Sequence, residues 1–166
     1  MSARRFALTA ILALGLTAIP EVALAATTYS DTIAGREFFA TTTVGGFAGT
    51  AAGDLPGSWL AIVEHTPLST TATITGGNFT LATTIAEEPA TVSGTFSGGT
   101  VTQTGGFTDC QNQTYDVHGV LANVGVGAGG TGSGTFDATL THLRTSFFGR
   151  CFTYGARVVG MVSLMF

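Results

Sequence analysis

The alternation of apolar and polar residues is clearest in residues 132–166, which predict a long β-hairpin. In its first strand, Gly134 to Arg144, threonine or aspartate occupies every second position up to Thr141, and a second set of mostly apolar residues occupies the positions between. A period of two is typical of a half-buried strand. The second set consists of Phe136, Ala138, Leu140, His142 and Arg144.

The second strand of this hairpin, from about Cys151 to Phe166, becomes apolar on both faces. Val159, Met161 and Met165 lie on one face. A strand with two apolar faces is covered on both sides, by a partner subunit, a further segment or lipid. The other face carries Phe152, Tyr154, Ala156, Val158, Gly160, Val162, Leu164 and Phe166, and either face could be the outward one.

The same period of two predicts shorter strands through the rest of the chain. Gly76-Gly77 and the run 97–99 are predicted as hairpin loops between neighbouring strands. Helical periodicity is missing after residue 25, and the class is therefore all-β. The predicted strands are 36–44, 58–66, 70–75, 78–84, 91–96, 100–107 and 114–122.

Short connections between consecutive strands predict a closed antiparallel meander barrel of about eight strands. Closure removes sheet edges, which this chain has no lysine to protect. A two-sheet sandwich is the alternative architecture.

The start of the chain has the features of a secretory signal peptide. A basic leader, Met1 to Arg5, precedes an apolar run from Phe6 to Ile19 and a small-x-small site ending at Ala25. We therefore expect a signal peptide over 1–25, a flexible N-terminus over 26–35 and one β-barrel domain over 36–166. The expected location is secreted, cell-surface or periplasmic.

Charge excludes some classes of partner. After residue 25 the chain has four arginines, no lysine and nine acidic residues. A nucleic-acid binder needs a basic patch that these residues cannot form. Anionic membrane surfaces are disfavoured for the same reason.

Two cysteines, Cys110 and Cys151, lie 41 positions apart. In an exported chain an even number of cysteines indicates a disulfide, and free thiols or a two-cysteine metal site are the alternatives. A bridge across a loop of this size stabilises by about 4 kcal/mol in the chain-entropy model.

The run Gly132-Ser-Gly-Thr-Phe-Asp-Ala138, the export signal and the Gly-rich meander resemble the allene oxide cyclase and dirigent group. The resemblance implies an eight-stranded barrel that holds an apolar ligand and often trimerises. The catalytic carboxylates of that group match no positions in this chain, so its activity is not implied here.

Two predicted strands supply candidate ligand-binding residues at the barrel mouth. His142 and Arg144 end an apolar face and could fix a carboxylate or enolate, or could be solvated where the strand leaves the core. Trp59 and His65 share another face. Glu64 points the opposite way, either as a general base inside the barrel or as a carboxylate on its rim.

Tyr115 lies on the apolar face of the strand 114–122 and completes this candidate set. The opposite face carries Asp116 and His118, too few ligands for a zinc site. No Gly-x-Ser-x-Gly elbow is present, and we expect neither a metal nor another cofactor.

The hypothesis favoured by the sequence is an exported barrel that binds a small apolar molecule. The alternatives are a barrel isomerase or cyclase and a non-enzymatic surface or structural protein. The terminal Phe166 also resembles the end of outer-membrane barrels, but most predicted strands are too short and too rich in threonine for that class. One apolar set of the last strand must point outward, either Val159, Met161 and Met165 or the Phe166 series. This predicts a homo-oligomer packed through that strand.

Overall fold

The computed structural model describes residues 26–166, which form one closed antiparallel β-barrel in the order β1 to β8. The all-β class and the eight-stranded meander are thereby confirmed. Within this range no helix is long and apolar enough to cross a membrane. The strands are β1 (Thr28–Ala40), β2 (Val44–Gly53), β3 (Gly57–His65), β4 (Thr71–Ile85), β5 (Glu88–Gly105), β6 (Gln113–Val126), β7 (Gly132–Phe147) and β8 (Arg150–Met165).

Barrel closure depends on β1, which pairs with β2 on one side and with β8 on the other. The ladder with β8 runs from Thr28, opposite Met165, to Arg36, opposite Arg157. The expected flexible segment 26–35 is therefore wrong from residue 28 onward, because these residues close the wall. The predicted signal peptide, 1–25, lies outside the described residues.

The barrel interior is apolar, and much of its outer face is threonine. In β4, Ala72, Ile74, Phe79 and Leu81 are buried, whereas Thr71, Thr73, Thr80 and Thr84 are exposed. This alternation follows from the pleat of the strand. The core draws on all eight strands and includes Ile33, Trp59, Val92, Phe96, Leu121, Leu140, Val158 and Leu164.

Two predicted hairpins are wrong, because Gly76-Gly77 and the run 97–99 lie inside β4 and β5. Gly77 has φ of +125° and Gly99 has φ of +142°, which L side chains rarely adopt. In each strand, the inward-facing residues are even-numbered before the glycine pair and odd-numbered after it. The glycine pairs bend the strands while keeping apolar side chains inside on both sides of the bend.

The two ends of the barrel differ. The closed end, which carries the β2–β3, β4–β5 and β6–β7 connections, contains the buried Leu55. Its backbone N–H donates to Oδ1 of the buried Asp31 at 2.8 Å. Tyr29 and Phe166 stack with ring centroids 4.9 Å apart. The open end carries the other four connections.

At the open end, the β7–β8 hairpin extends beyond its neighbours. The β6–β7 ladder ends at His142 and the β1–β8 ladder ends at Arg157, so residues 143–156 pair only within the β7–β8 hairpin. We call this segment the arm. The predicted disulfide is confirmed: Cys151 in the arm is bonded to Cys110 in the β5–β6 loop.

An irregularity in the arm changes which side chains of β8 point inward. The pairing skips Tyr154, since Leu143 faces Gly155 and Arg144 faces Thr153. Phe152 and Tyr154 are consequently exposed, and the expectation that they share a face with the buried Ala156 and Val158 is wrong. From Ala156 onward the alternation is regular, with Val159, Met161 and Met165 exposed on the outside.

Candidate functional site

The main cavity of the described chain lies inside the barrel and reaches the open end. Its volume is about 320 Å³, within the usual range for small-molecule sites. The walls come from all the strands, and the loop residues Thr41, Thr42, Pro67 and Leu68 line its outer part. The inner walls are apolar and include Phe47, Ala61, Ile74, Val101, Leu140 and Val158.

Trp59 forms part of the cavity floor. Its indole Nε1–H donates to the Thr50 carbonyl at 3.0 Å, which satisfies the polar end of a buried ring. A side chain at Gly35 would collide with the indole at 2.5 Å, so glycine there makes room for it. Beyond Trp59 a small extension of about 40 Å³ continues toward the closed end. The floor is therefore fixed and apolar.

Three titratable side chains line the outer part of the cavity: Glu37, His65 and His142. They come from the ends of β1, β3 and β7, which the barrel brings together at one rim. The Nδ1–H of His65 donates to the Thr66 carbonyl at 2.8 Å, since a carbonyl can only accept. In a neutral His65 this bond leaves Nε2 as a hydrogen-bond acceptor.

Burial shifts the pKa of two members of this set in opposite directions. Burial raises the pKa of Glu37, and the charge of His65 partly offsets that rise. Burial lowers the pKa of His142, and the charges of Arg144 and His65 lower it further. Both shifts favour the neutral forms, a carboxyl that can donate and an imidazole that can donate and accept.

Arg144 and Tyr115 lie beside His142, outside the direct lining of the cavity. The rings of Tyr115 and His142 are 5.3 Å apart, and the Tyr115 hydroxyl contacts Gln113 Oε1 at 3.3 Å. Burial raises the pKa of Tyr115, and the charge of Arg144 opposes that rise. Arg144 Nε is buried without a partner in the described chain. Tyr115 and Arg144 therefore lie next to His142 on the side away from the cavity.

The structure separates the predicted site residues into two groups. Trp59, His65 and His142 line the cavity, with Tyr115 and Arg144 next to His142. Glu64 is exposed on the outer face of β3 and does not reach the cavity. Their roles in binding stay predictions.

Glu37 is the cavity carboxyl that the sequence did not reveal. It follows Arg36, a neighbourhood typical of a solvated strand face. It shares the inward face of β1 with Asp31, Ile33 and Gly35, in unbroken register with β2. The predicted strand began at residue 36, so the alternation that places Glu37 inside the barrel was not recognised.

The outer face carries one further polar pair, in which His118 Nδ1 contacts Asp137 Oδ1 at 2.5 Å. It lies on the side of the wall away from the cavity. Residues 26–166 contain no group of three side chains arranged to hold a metal ion.

Comparison of the chain with protein-family models, curated proteins and solved structures finds no match. Function is therefore inferred from the cavity and from the chemistry of its mouth.

Proposed function

We propose that this protein binds one small, largely apolar molecule inside the barrel, with a neutral hydrogen-bonding head group at the open end. The observation that supports this proposal is the apolar cavity of about 320 Å³ with Glu37, His65 and His142 grouped at its outer part. Ligand sites commonly combine apolar walls with a few convergent polar groups.

The chemistry of the mouth favours a hydroxyl or carbonyl head over a carboxylate. A carboxylate ligand would face the carboxyl of Glu37, and two carboxylates at one site cannot readily both ionise. A hydroxyl can donate to His65 Nε2 and accept from a protonated Glu37. His142 offers a further partner of either type. The mouth thus suits an alcohol, ketone or aldehyde with an apolar body.

Two features argue against the competing classes. A purely structural barrel has no need of an interior cavity, because a filled core is more stable than one with voids. Outer-membrane barrels place apolar side chains outside and polar ones inside. This barrel has the reverse arrangement, as the alternation in β4 illustrates.

A barrel isomerase or cyclase is the second candidate. The observation that favours it is the pair of oppositely shifted pKa values, raised in Glu37 and lowered in His142. Side chains with perturbed pKa values are candidates for proton transfer to and from a bound substrate. On this alternative, the bound molecule leaves the barrel as an isomer of equal mass.

The disulfide favours a place of action outside the reducing cytoplasm, in the periplasm, at the cell surface or in the medium. This location fits the predicted signal peptide.

The chain has a single tryptophan, Trp59, at the cavity floor, and it can report binding directly. We expect the neutral apolar probe N-phenyl-1-naphthylamine to quench Trp59 emission by energy transfer. Val63 lines the cavity, and Val63→Phe should weaken probe binding about tenfold or more by filling the site. The matched control is Leu60→Phe, on the outer face of β3.

Equal probe affinity in wild type and Val63→Phe would contradict binding in the barrel. An equal loss of probe affinity in Val63→Phe and in the control Leu60→Phe would indicate a general effect on the fold. Mass spectrometry of a ligand retained from the native host separates the two candidates. A binding protein releases the ligand unchanged after incubation, whereas an isomerase converts it to a species of equal mass and different retention time.

A further inference from the structure

Seven exposed aromatic side chains gather at the open end of the barrel. They come from three separate places in the chain: the end of β1, the β5–β6 loop and the arm. The closed end carries no aromatic of comparable exposure in the described residues, since Tyr29 and Phe166 there are partly buried against each other. The seven residues, which we call the aromatic rim, are Phe38, Phe39, Phe107, Phe147, Phe148, Phe152 and Tyr154.

The arm presents four of these rings well clear of the barrel wall. Its five ladder pairs, from Leu143–Gly155 to Phe147–Arg150, extend over roughly 15–20 Å. A two-stranded ribbon is only marginally stable on its own in water. Here the Cys110–Cys151 bridge and the bond from Arg144 N–H to Asn112 Oδ1, at 2.9 Å, fix it to the neighbouring loop.

Phe148 at the tip contributes little to the fold. It is 90% exposed, and its ring lies against that of Phe147 at 4.4 Å. Phe148 has φ of 49° and Gly149 has φ of 70°, the positive values of a type I′ turn that favours Asn-Gly. A bulky residue at positive φ is uncommon. Asparagine at position 148 would make the turn more stable, so we infer that the Phe148 ring serves a purpose other than stabilising the fold.

The charges of the arm fit the same function. Residues 143–156 contain Arg144 and Arg150 and no acidic residue. Elsewhere, the exposed Asp54, Glu87 and Glu88 lie at the closed end, and Glu64 and Asp109 are exposed at the open end. Aromatic rings with nearby arginines are the side chains that settle at the boundary between lipid head groups and acyl chains.

We propose that the aromatic rim docks the open end of the barrel onto the surface of a zwitterionic phospholipid bilayer. Protein interfaces need a surface of about 800 Å² per partner with matching shape. Rings on a projecting tip and on separate loops insert between lipids without a complementary surface. The proposal does not rest on ligand binding, but it gives an apolar ligand a route into the cavity that avoids water.

The test uses the protein without residues 1–25 and vesicles of phosphatidylcholine, in a co-sedimentation assay. We expect wild type to partition onto the vesicles with little dependence on salt. Phe148→Asn should reduce partitioning about tenfold or more, because one inserted ring is lost. Phe107→Ser, on the separate β5–β6 loop, should reduce it as well. Val126→Asn, at the closed end, is the control and should bind as wild type does.

Thermal unfolding verifies that Phe148→Asn is folded. Because Asn-Gly suits the turn, we expect this variant to be at least as stable as wild type. The proposal is overturned if wild type stays in solution with vesicles, or if Phe148→Asn binds them as tightly as wild type. It is also overturned if light scattering without lipid finds a wild-type dimer that Phe148→Asn dissolves, since the partner is then a second copy. Probe binding to Trp59 tests the ligand proposal independently.

Discussion

At the scale of single residues, the most unusual side chain is Asp31, whose carboxylate is 1% exposed at the closed end. Oδ1 accepts from the Leu55 N–H, whereas Oδ2 has no partner in the described chain. Burial raises the pKa of Asp31; the Leu55 bond opposes the rise and the nearby Asp54 adds to it. An ionised Asp31 is therefore costly to the fold.

We expect Asp31→Asn to stabilise the protein at about pH 8, on the order of 1 kcal/mol, because the amide oxygen still accepts from Leu55 without a buried charge. A folded-state pKa above the usual value of 3.8 means that the native state binds more protons than the unfolded state just above that value. Stability from this group is thus present at low pH and is lost as the pH rises through the folded-state pKa.

The advantage of Asp31→Asn should accordingly shrink at about pH 4 and below, where both states of wild type are protonated. Urea unfolding followed by Trp59 fluorescence measures this. Asp116→Asn, on the exposed outer face, is the control and should change little. A less stable Asp31→Asn at the higher pH would contradict the argument.

The site residues were predictable from sequence where the predicted strand was long enough to show which positions face inward. Trp59 and His65 share a face of β3 without interruption, so simple parity placed both in the cavity. His142 follows from the same rule in β7. Glu37 obeys this rule in β1, where it shares a face with Asp31 and Ile33, but the predicted strand began only at residue 36. The early start of β1 depends on its pairing with β8, which local sequence does not specify.

At the scale of elements, the same limitation explains the two wrong hairpins. A glycine pair between apolar runs predicts a turn, and this rule is usually sound. In β4 and β5 the glycines instead form matching bends in two paired strands, because the ladder resumes beyond them. Whether a glycine pair reverses a strand or bends it depends on the neighbouring strand, which local sequence does not specify.

The disulfide is the main constraint on the arm. We expect the double variant Cys110→Ser/Cys151→Ser to lose about 4 kcal/mol of unfolding free energy, the chain-entropy value for a separation of 41 residues. Urea unfolding measures the loss, and intact mass after alkylation verifies the thiol state. Wild type in reductant should behave like the double variant. Unchanged stability in both would contradict a constraining role for the bridge.

At the scale of the whole molecule, the outer wall has one apolar ridge, Val159, Met161 and Met165 on β8. The facing positions on β1 and β7 are small or polar, for example Thr32 and Thr139. Burying three such side chains at about 25 cal/mol per Å² gives a few kcal/mol of association free energy. We propose that copies of the chain pack through this ridge, on a surface separate from the aromatic rim.

Light scattering should find wild type as a homo-oligomer, and Val159→Asp/Met161→Asp as a folded monomer. Leu60→Asp is the control, because Leu60 is also exposed and apolar but lies on β3, away from the ridge. It should assemble as wild type does. A monomeric wild type at micromolar concentration would rule out assembly through this ridge.

The pairing of β1 with β8 also governs how the chain folds. Thr28 and Met165 meet across the wall although they come from opposite ends of the described chain. Closing so long a loop costs conformational entropy before the stabilising contacts between β1 and β8 form. Proteins dominated by such long-range pairings fold in milliseconds to seconds. Until β8 arrives, β1 and β7 each leave one edge unpaired. The apolar interior therefore stays accessible to water and to other chains until the last strand is in place.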